Sequence, residues 1–186
     1  MRKFLMGVAI SLVLLSCNNA KKDEAEKTAD ATTAEAAVPE KKPAAEMLDL
    51  SAGDAIKQSF EAFTRADVDA MAANFADNVR YYWSSGDSLV GKQAVIDYYK
   101  SRWKVIDSAT VSETIVLPMM ANESQSKYAP TGKWVFYWGF WHVKYKNGKK
   151  IDFWMHNANH FNDAGKVDQV GQFLDRHQII EATKGM

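Results

Sequence analysis

Residues 132–161, GKWVFYWGFWHVKYKNGKKIDFWMHNANHF, contain four of the six tryptophans in this 186-residue chain. Two runs of β-branched and aromatic residues flank Asn147-Gly148, a pair typical of tight hairpin turns. The stretch therefore predicts two antiparallel strands. Apolar side chains occur at both odd and even positions, so both faces of the predicted sheet should be covered rather than one.

A two-residue turn at Asn147-Gly148 predicts the register of this hairpin, and it makes Phe140 pair with Met155. Directly paired residues project from the same face of a sheet. One predicted face then carries Trp134, Phe136, Trp138, Phe140 and His142 with Phe153, Met155, Asn157, Asn159 and Phe161. The opposite face carries Val135, Tyr137, Gly139, Trp141 and Val143 with Asp152, Trp154, His156, Ala158 and His160.

The remaining sequence predicts the other elements of the fold. Apolar residues at helical spacing favour two short helices between residues 51 and 75 and a third over residues 92–105. Strand-like runs occur at residues 79–83, 110–120 and 166–174. Helices come early in the chain and most strands late, which is typical of an α+β domain with a curved antiparallel sheet.

The charge of the chain excludes some classes of partner. Lys and Arg number 23, as do Asp and Glu, so the formal net charge is zero. We find no basic stripe of the kind that gathers phosphates, and we expect no nucleic-acid partner. His156 and His160 are four residues apart on a predicted strand, about 13 Å along the chain, which is too far for one metal ion. We expect neither a metal nor a cofactor.

The amino terminus has the pattern of a processing signal. Arg2 and Lys3 precede an apolar run too short to cross a bilayer, and LLSC at residues 14–17 resembles the lipobox of bacterial lipoproteins. The resemblance implies that residues 1–16 are removed and that Cys17 is lipidated by acyl chains such as palmitate. The alternative is a plain secretory signal that contains a cysteine. Cys17 is the only cysteine, so an intrachain disulfide is excluded.

Residues 17–46 predict a disordered tether, because they contain no aromatic residue and are rich in Ala, Lys, Glu, Thr and Pro. The folded domain is predicted over residues 47–186. With a lipid on Cys17, that domain would be held at a membrane of the bacterial cell envelope, in the periplasm or on the outer surface.

Four motifs in the predicted domain resemble a known superfamily. They are RADVDAM at residues 65–71, FADNV at 75–79, SLVGKQAVIDYY at 88–99 and HFNDAGKV at 160–167. In this order they resemble the nuclear-transport-factor-2-like superfamily, which includes SnoaL-like polyketide cyclases and ketosteroid isomerase. The resemblance implies a cone-shaped roll, with a strongly curved sheet wrapped around the N-terminal helices. It also implies an apolar pocket and a dimer formed through the outer face of the sheet.

The resemblance to ketosteroid isomerase also implies roles for single residues. The acid that hydrogen-bonds the substrate carbonyl falls on Asn157, its partner tyrosine on Ser59, and the supporting tyrosine is retained as Tyr99. The general base falls on Trp83, whose indole cannot abstract a proton. Gln172 is expected to face inward where a carboxylate would serve a cyclase, so we expect the isomerase chemistry to be lost.

These observations predict a lipid-anchored module that binds a small apolar or amphipathic ligand in an aromatic pocket. The predicted lining is Ser59, Trp83, Tyr99, Trp138, Phe140, Met155, Asn157, Asn159 and Gln172. One alternative is a cyclase, isomerase or dehydratase, with His142 as the candidate catalytic residue. The other is an interaction module that forms a homodimer through Tyr137, Trp141, Trp154 and His156.

Overall fold

The fold was determined as a computed structural model, which describes residues 41–186. The predicted signal peptide, Cys17 and all but the last residues of the predicted tether lie outside this range. A first short strand, β1 (Ala45–Met47), pairs antiparallel with residues 119–121. It begins two residues before the predicted domain boundary at Met47. Among residues 41–186, no helix is both long and apolar enough to cross a membrane.

Three helices and a 3-10 turn precede the long strands or lie between them. The 3-10 turn Leu50–Gly53 leads into α1 (Asp54–Thr64), α2 (Val68–Met71) follows, and α3 (Lys92–Trp103) comes later. The Asp67 carboxylate accepts a hydrogen bond from the Ala70 amide, which caps the start of α2. The helical spacing therefore predicted these helices to within a few residues.

The strands form one seven-stranded sheet in the order β1-β4-β5-β6-β7-β2-β3. After β1 they are β2 (Phe75–Trp83), β3 (Ser88–Val90), β4 (Ile106–Ala121), β5 (Gly132–Tyr145), β6 (Lys150–Phe161) and β7 (Val167–Phe173). A last helix, α4 (Arg176–Thr183), follows β7. This confirms the α+β prediction. One pair differs from a purely antiparallel sheet, because β2 and β7 run parallel.

The turn between β5 and β6 is one residue longer than predicted. Tyr145 pairs with Lys149, and Gly148 donates a hydrogen bond to the Tyr145 carbonyl from a left-handed backbone conformation (φ +85°). These features define a three-residue loop closed by a glycine bulge. Met155 consequently pairs with Gly139 rather than Phe140. A shift of one residue moves every β5 side chain to the other face, so the predicted face assignment of β5 is wrong.

The two faces of this hairpin have different surroundings. The inner face carries Val135, Tyr137, Trp141 and Val143 of β5, all buried, and faces the helices. Phe60 of α1 stacks on Tyr137 with ring centroids 4.1 Å apart. The outer face carries the aromatic residues Phe136, Trp138, Phe140 and Trp154, and half of the Trp154 surface is exposed.

Gly139 allows two large rings to meet on the inner face. A Cβ atom at this position would lie 2.6 Å from the Tyr137 hydroxyl and 2.9 Å from the Trp141 Nε1. Both distances are shorter than a nonbonded contact permits. The absence of a side chain at Gly139 is therefore what lets Tyr137 and Trp141 lean over the strand between them.

Candidate ligand-binding site

A cavity of about 140 Å³ lies between the inner face of the sheet and the helices. Helices α1 and α3 contribute one side, and β2, β5, β6 and β7 the other, with α4 along the edge. Aromatic and aliphatic side chains make up most of the wall. They include Ile56, Phe60, Phe63, Phe75, Tyr81, Trp83, Tyr98, Tyr99, Trp141, Phe153, Met155, Val170, Leu174 and Ile179.

The structure brings most of the predicted pocket residues together. Those that line the cavity are Ser59, Trp83, Tyr99, Met155, Asn157, Asn159 and Gln172. Ser59 donates a 2.5 Å hydrogen bond to the Met71 carbonyl, which joins α1 to α2. Asn159 donates a 2.9 Å hydrogen bond to the Val135 carbonyl. These two polar side chains are therefore satisfied within the fold.

Trp138 and Phe140 are the exceptions, because they lie on the outer face. The Trp138 ring stacks on His156 at 4.3 Å, and the Phe140 ring lies 5.4 Å from Trp154. The reason is the three-residue turn, which reverses the facing of β5 relative to the prediction. Neither residue lines the cavity.

The same shift divides the predicted dimer surface. Tyr137 and Trp141 lie on the inner face, where each is at most 2% exposed, and Trp141 lines the cavity. Trp154 and His156 belong to β6 and remain on the outer face. The prediction that all four residues form one outward surface is therefore wrong for the two β5 residues.

His142 also lies outside the cavity. Its Nδ1 is 2.7 Å from a carboxylate oxygen of Asp152, and its Nε2 is 3.0 Å from the Ser112 hydroxyl. All three side chains are exposed to solvent on strands β4 to β6. Since His142 does not line the cavity, it is not positioned to act on a molecule bound there.

A directed chain of hydrogen bonds crosses the cavity wall. Asn157 donates to the Tyr81 hydroxyl at 3.4 Å, and the Tyr81 and Tyr99 hydroxyls are 2.6 Å apart. Tyr99 and the Trp83 indole both donate to the Gln172 carbonyl oxygen, at 3.3 and 2.8 Å. Because Tyr99 donates to Gln172, Tyr81 is the donor to Tyr99. This series of hydrogen bonds thus ends on the Gln172 carbonyl oxygen and orients the Gln172 side chain.

Burial keeps the Tyr81 and Tyr99 hydroxyls, at the centre of this hydrogen-bond series, protonated. It is the main reason that the pKa of Tyr81 is raised, and the hydrogen bonds that Tyr81 makes with Tyr99 and Asn157 offset the burial effect only in part. Burial likewise raises the pKa of Tyr99 well above its ordinary value, and the neighbouring Tyr81 adds to the effect. At neutral pH both tyrosines are therefore neutral hydrogen-bonding groups.

Some buried polar atoms in and near the cavity lack partners. Within the described residues, no hydrogen bond reaches Asn157 Oδ1, Trp141 Nε1 or the Tyr137 hydroxyl. Leaving such an atom unpaired costs about 1–3 kcal/mol. Asn157 and Trp141 also line the cavity. Asn157 thus contributes an acceptor without a partner to the wall of the cavity.

The only charged side chains in the lining of the described cavity are two arginines, Arg102 of α3 and Arg176 of α4. Arg176 pairs with Asp87 and lies over the Trp83 ring at 5.6 Å. Its hydrogen bond lowers the pKa of Asp87. Burial raises the pKa of Tyr145, and the charge of Arg102 partly counteracts this effect.

Sequence reasoning did not single out Tyr81, Phe60, Arg102 or Arg176. Two of them carry a recognisable signal. Tyr81 is two residues from Trp83 on a strand and so shares its face. Arg102 is three residues after Tyr99 and therefore lies on the same side of α3. Arg176 gives no such signal, because its place depends on how α4 packs back onto β2.

Neither a histidine nor a carboxylate lines the cavity within residues 41–186. The same residues hold no group of three or more potential metal ligands. What the site offers is an apolar volume, neutral amide and hydroxyl groups, and two guanidinium groups. Such an arrangement can bind and orient a molecule through its shape and its hydrogen bonds.

The sequence pattern of the SnoaL-like domain family matches residues 56–170. This range begins in α1 and ends in β7, so it covers the elements that build most of the cavity wall. No curated protein matches the chain significantly.

Solved structures of the same fold are numerous. A candidate polyketide cyclase from Xanthomonas campestris is 18% identical, with a TM-score of 0.56 over 70% of this chain and 95% of that one. A nuclear-transport-factor-2-like protein of unknown function from Burkholderia pseudomallei is also 18% identical, with a TM-score of 0.56 over 72% and 98%. TerC, co-crystallised with polyporic acid, is 14% identical, with a TM-score of 0.52 over 70% and 96%. At these identities the likeness establishes the fold.

Proposed function

This chain belongs to the SnoaL-like domain family, and on that premise we propose that it binds a small, largely apolar ligand without catalysing a reaction. The observation that carries the proposal is the aromatic cavity of about 140 Å³ with an unpaired buried amide oxygen on Asn157. Engineered apolar cavities of similar volume, about 150 Å³, accept benzene. A ligand with one ring and a hydrogen-bond donor matches both features.

The polar groups of the cavity favour binding over proton transfer. Trp83 occupies the position where the family resemblance expects a general base, and Asn157 and Gln172 are amides where acids are expected. Tyr81 and Tyr99 keep their protons at neutral pH. A general base works best with a pKa near the operating pH, and none of these groups has one.

Members of the fold hold organic molecules, as the co-crystal of TerC with polyporic acid illustrates. That observation supports a role in binding an organic molecule here. It does not indicate the same ligand, because the identity is only 14%.

Phenol and toluene are suitable probes for the cavity of the full-length chain. The two molecules have the same ring, but only phenol carries a donor for Asn157 Oδ1. We expect phenol to bind roughly fivefold more tightly, the effect of about 1 kcal/mol from one neutral hydrogen bond. Ligand-observed NMR titrations would measure both affinities.

Asn157→Ala should abolish the preference for phenol, whereas Trp138→Ala on the outer face should leave it unchanged. Absence of binding by either probe would contradict the proposal. Turnover of a candidate substrate that survives Trp138→Ala and is lost in Asn157→Ala would instead favour the alternative of a cyclase, isomerase or dehydratase. Native mass spectrometry of the purified chain would test whether a resident ligand accompanies it.

We further propose that Cys17 is acylated and that residues 17–46 tether the domain to a cell-envelope membrane. The LLSC motif and the composition of the tether support this. Metabolic labelling with an alkyne-tagged palmitate should mark the wild-type chain and not Cys17→Ser. Equal labelling of both would contradict the anchor.

A third proposal concerns the outer face of the sheet, which we infer to be a homodimer surface. Trp154, Phe173 and Ile115 are each 50% exposed, and the neighbouring rings of Trp138 and His156 stack beside them. Exposed aromatic patches of this kind are typical of protein interfaces. Sedimentation in detergent should show a dimer that Trp154→Lys dissociates, and a monomer at all concentrations would refute it.

A further inference from the structure

The lining of the cavity contains one guanidinium group without an anionic partner among the described residues. Arg102 lies in the last turn of α3, is half-buried and lines the cavity. Within residues 41–186, no carboxylate lies within ion-pair distance of it; the ion pairs there involve Lys41, Lys57, Lys100, His142, Lys144, His160 and Arg176. A charge removed from water is usually paired.

The second arginine of the lining differs in this respect. Arg176 donates hydrogen bonds to Asp87 and to the Ser85 hydroxyl, which neutralises its charge locally. The cavity therefore has one compensated cation and one uncompensated cation, and no lining carboxylate in the described part of the chain. Its electrostatic potential favours an anion near Arg102.

A second hydrogen-bonding group adjoins Arg102. Tyr145 lines the same cavity and is only 2% exposed, and the charge of Arg102 acts to lower the pKa of its hydroxyl against the larger effect of burial. The planar guanidinium fork matches the two oxygens of a carboxylate. A carboxylate at this point would contact the fork and the tyrosine together.

From this arrangement we propose that the ligand is a small organic acid, with its apolar body in the cavity and its carboxylate on Arg102 and Tyr145. This inference rests on the proposed binding function and adds the chemical class of the ligand. Other lining residues, among them Ile106 and Val143, are aliphatic, so the cavity also offers an apolar surface for the body of such a ligand.

Two matched probes test the inference on the full-length chain: 3-phenylpropionate and 3-phenyl-1-propanol. They share the apolar body and differ in the charged end. We expect the acid to bind at least about tenfold more tightly, as hydrogen bonds to charged groups are the stronger kind. Its affinity should fall as salt is added, whereas that of the alcohol should not. Isothermal titration calorimetry would measure both.

Arg102→Gln should remove the preference for the acid, and Tyr145→Phe should weaken acid binding without affecting the alcohol. Arg102→Lys keeps the charge but loses the planar guanidinium, so we expect an intermediate preference for the acid. This variant still tests the inference if Arg102→Gln does not fold. Arg80→Gln is the matched control, because Arg80 is exposed on β2 and does not line the cavity.

Equal affinity for the acid and the alcohol, or an unchanged preference in Arg102→Gln, would overturn the inference and leave the proposed binding function intact. If neither the acid nor the alcohol bound, both this inference and the proposed binding function would be overturned.

Discussion

The inner and outer faces of the β5–β6 hairpin are both rich in aromatic residues, but they differ in what the aromatic residues contact. On the inner face, Tyr137 and Trp141 are at most 2% exposed and lie against Phe60 of α1. On the outer face, Trp154 is 50% exposed. Aromatic content alone therefore does not identify a pocket. The face on which a ring lies decides whether it borders a cavity or solvent.

The contrast between the faces is sharpest at Gly139, where a side chain would enter the inner face. We expect Gly139→Val to lower the free energy of unfolding by about 3 kcal/mol, because overpacking forces the Tyr137 and Trp141 rings apart. Urea denaturation would measure this. Gly171→Ala is the control, since a Cβ there meets its nearest neighbour at an ordinary 3.4 Å. Equal stability of Gly139→Val and wild type would show that the inner face is loosely packed.

Two tyrosine hydroxyls on the inner face should respond differently to removal. Tyr81→Phe breaks the chain from Asn157 to Gln172 and should cost about 1.5 kcal/mol of unfolding free energy. Tyr137→Phe removes a hydroxyl that has no partner in the described residues, so it should be neutral or slightly stabilising. Thermal and urea unfolding would measure the free energy of unfolding of both variants. Equal losses would mean that the Tyr137 hydroxyl has a partner in solution, such as water.

A substitution at Gly148 would test the β5–β6 turn, which determines which side chains of β5 lie on the inner face. The Gly148 φ of +85° is in the left-handed region, where a side chain is unfavourable. Gly148→Ala should therefore cost about 1 kcal/mol of unfolding free energy while leaving phenol binding unchanged. Apart from the adjoining residues of the chain, no atom lies within 4 Å of the added Cβ, so contacts with other parts of the fold do not contribute. Loss of binding with retained stability would indicate that the register moves when this turn is altered.

The outer face should give the smallest effect, through His156. Partial burial lowers the pKa of His156, and its hydrogen bond to the Tyr137 carbonyl offsets this only in part. The unfolded state then binds a proton more readily than the folded state, so stability should fall as the pH drops below about 6.5, the usual histidine pKa. Melting temperatures between pH 5 and 8 should show a shallower decline for His156→Gln. The same slope in both proteins would assign the decline to other groups.

Much of the fold was accessible from the sequence because it depends on local patterns. Helical spacing placed α1 to α3, alternation and the Asn147-Gly148 turn predicted the β5–β6 hairpin, and the order of four motifs indicated the superfamily. On β6 and β7 the inward positions Met155, Asn157 and Gln172 followed from the resemblance, and the structure places them in the cavity. The register of β5 was not accessible, since Asn-Gly suits both a two-residue turn and a three-residue loop with a glycine bulge.

The sequence by itself determined the helices α1 to α3, the long strands, their order and the presence of a strongly apolar hairpin, because these follow from the spacing of residues along the chain. Only the tertiary structure decided that Trp141 faces the cavity and Trp138 the outer surface, and that Arg102, Tyr145 and residues of α4 line the same cavity. The physical reason is that strand pairing has a period of two residues. One extra residue in a turn reverses an entire face, and residues far apart in sequence meet only once that face is packed against the helices.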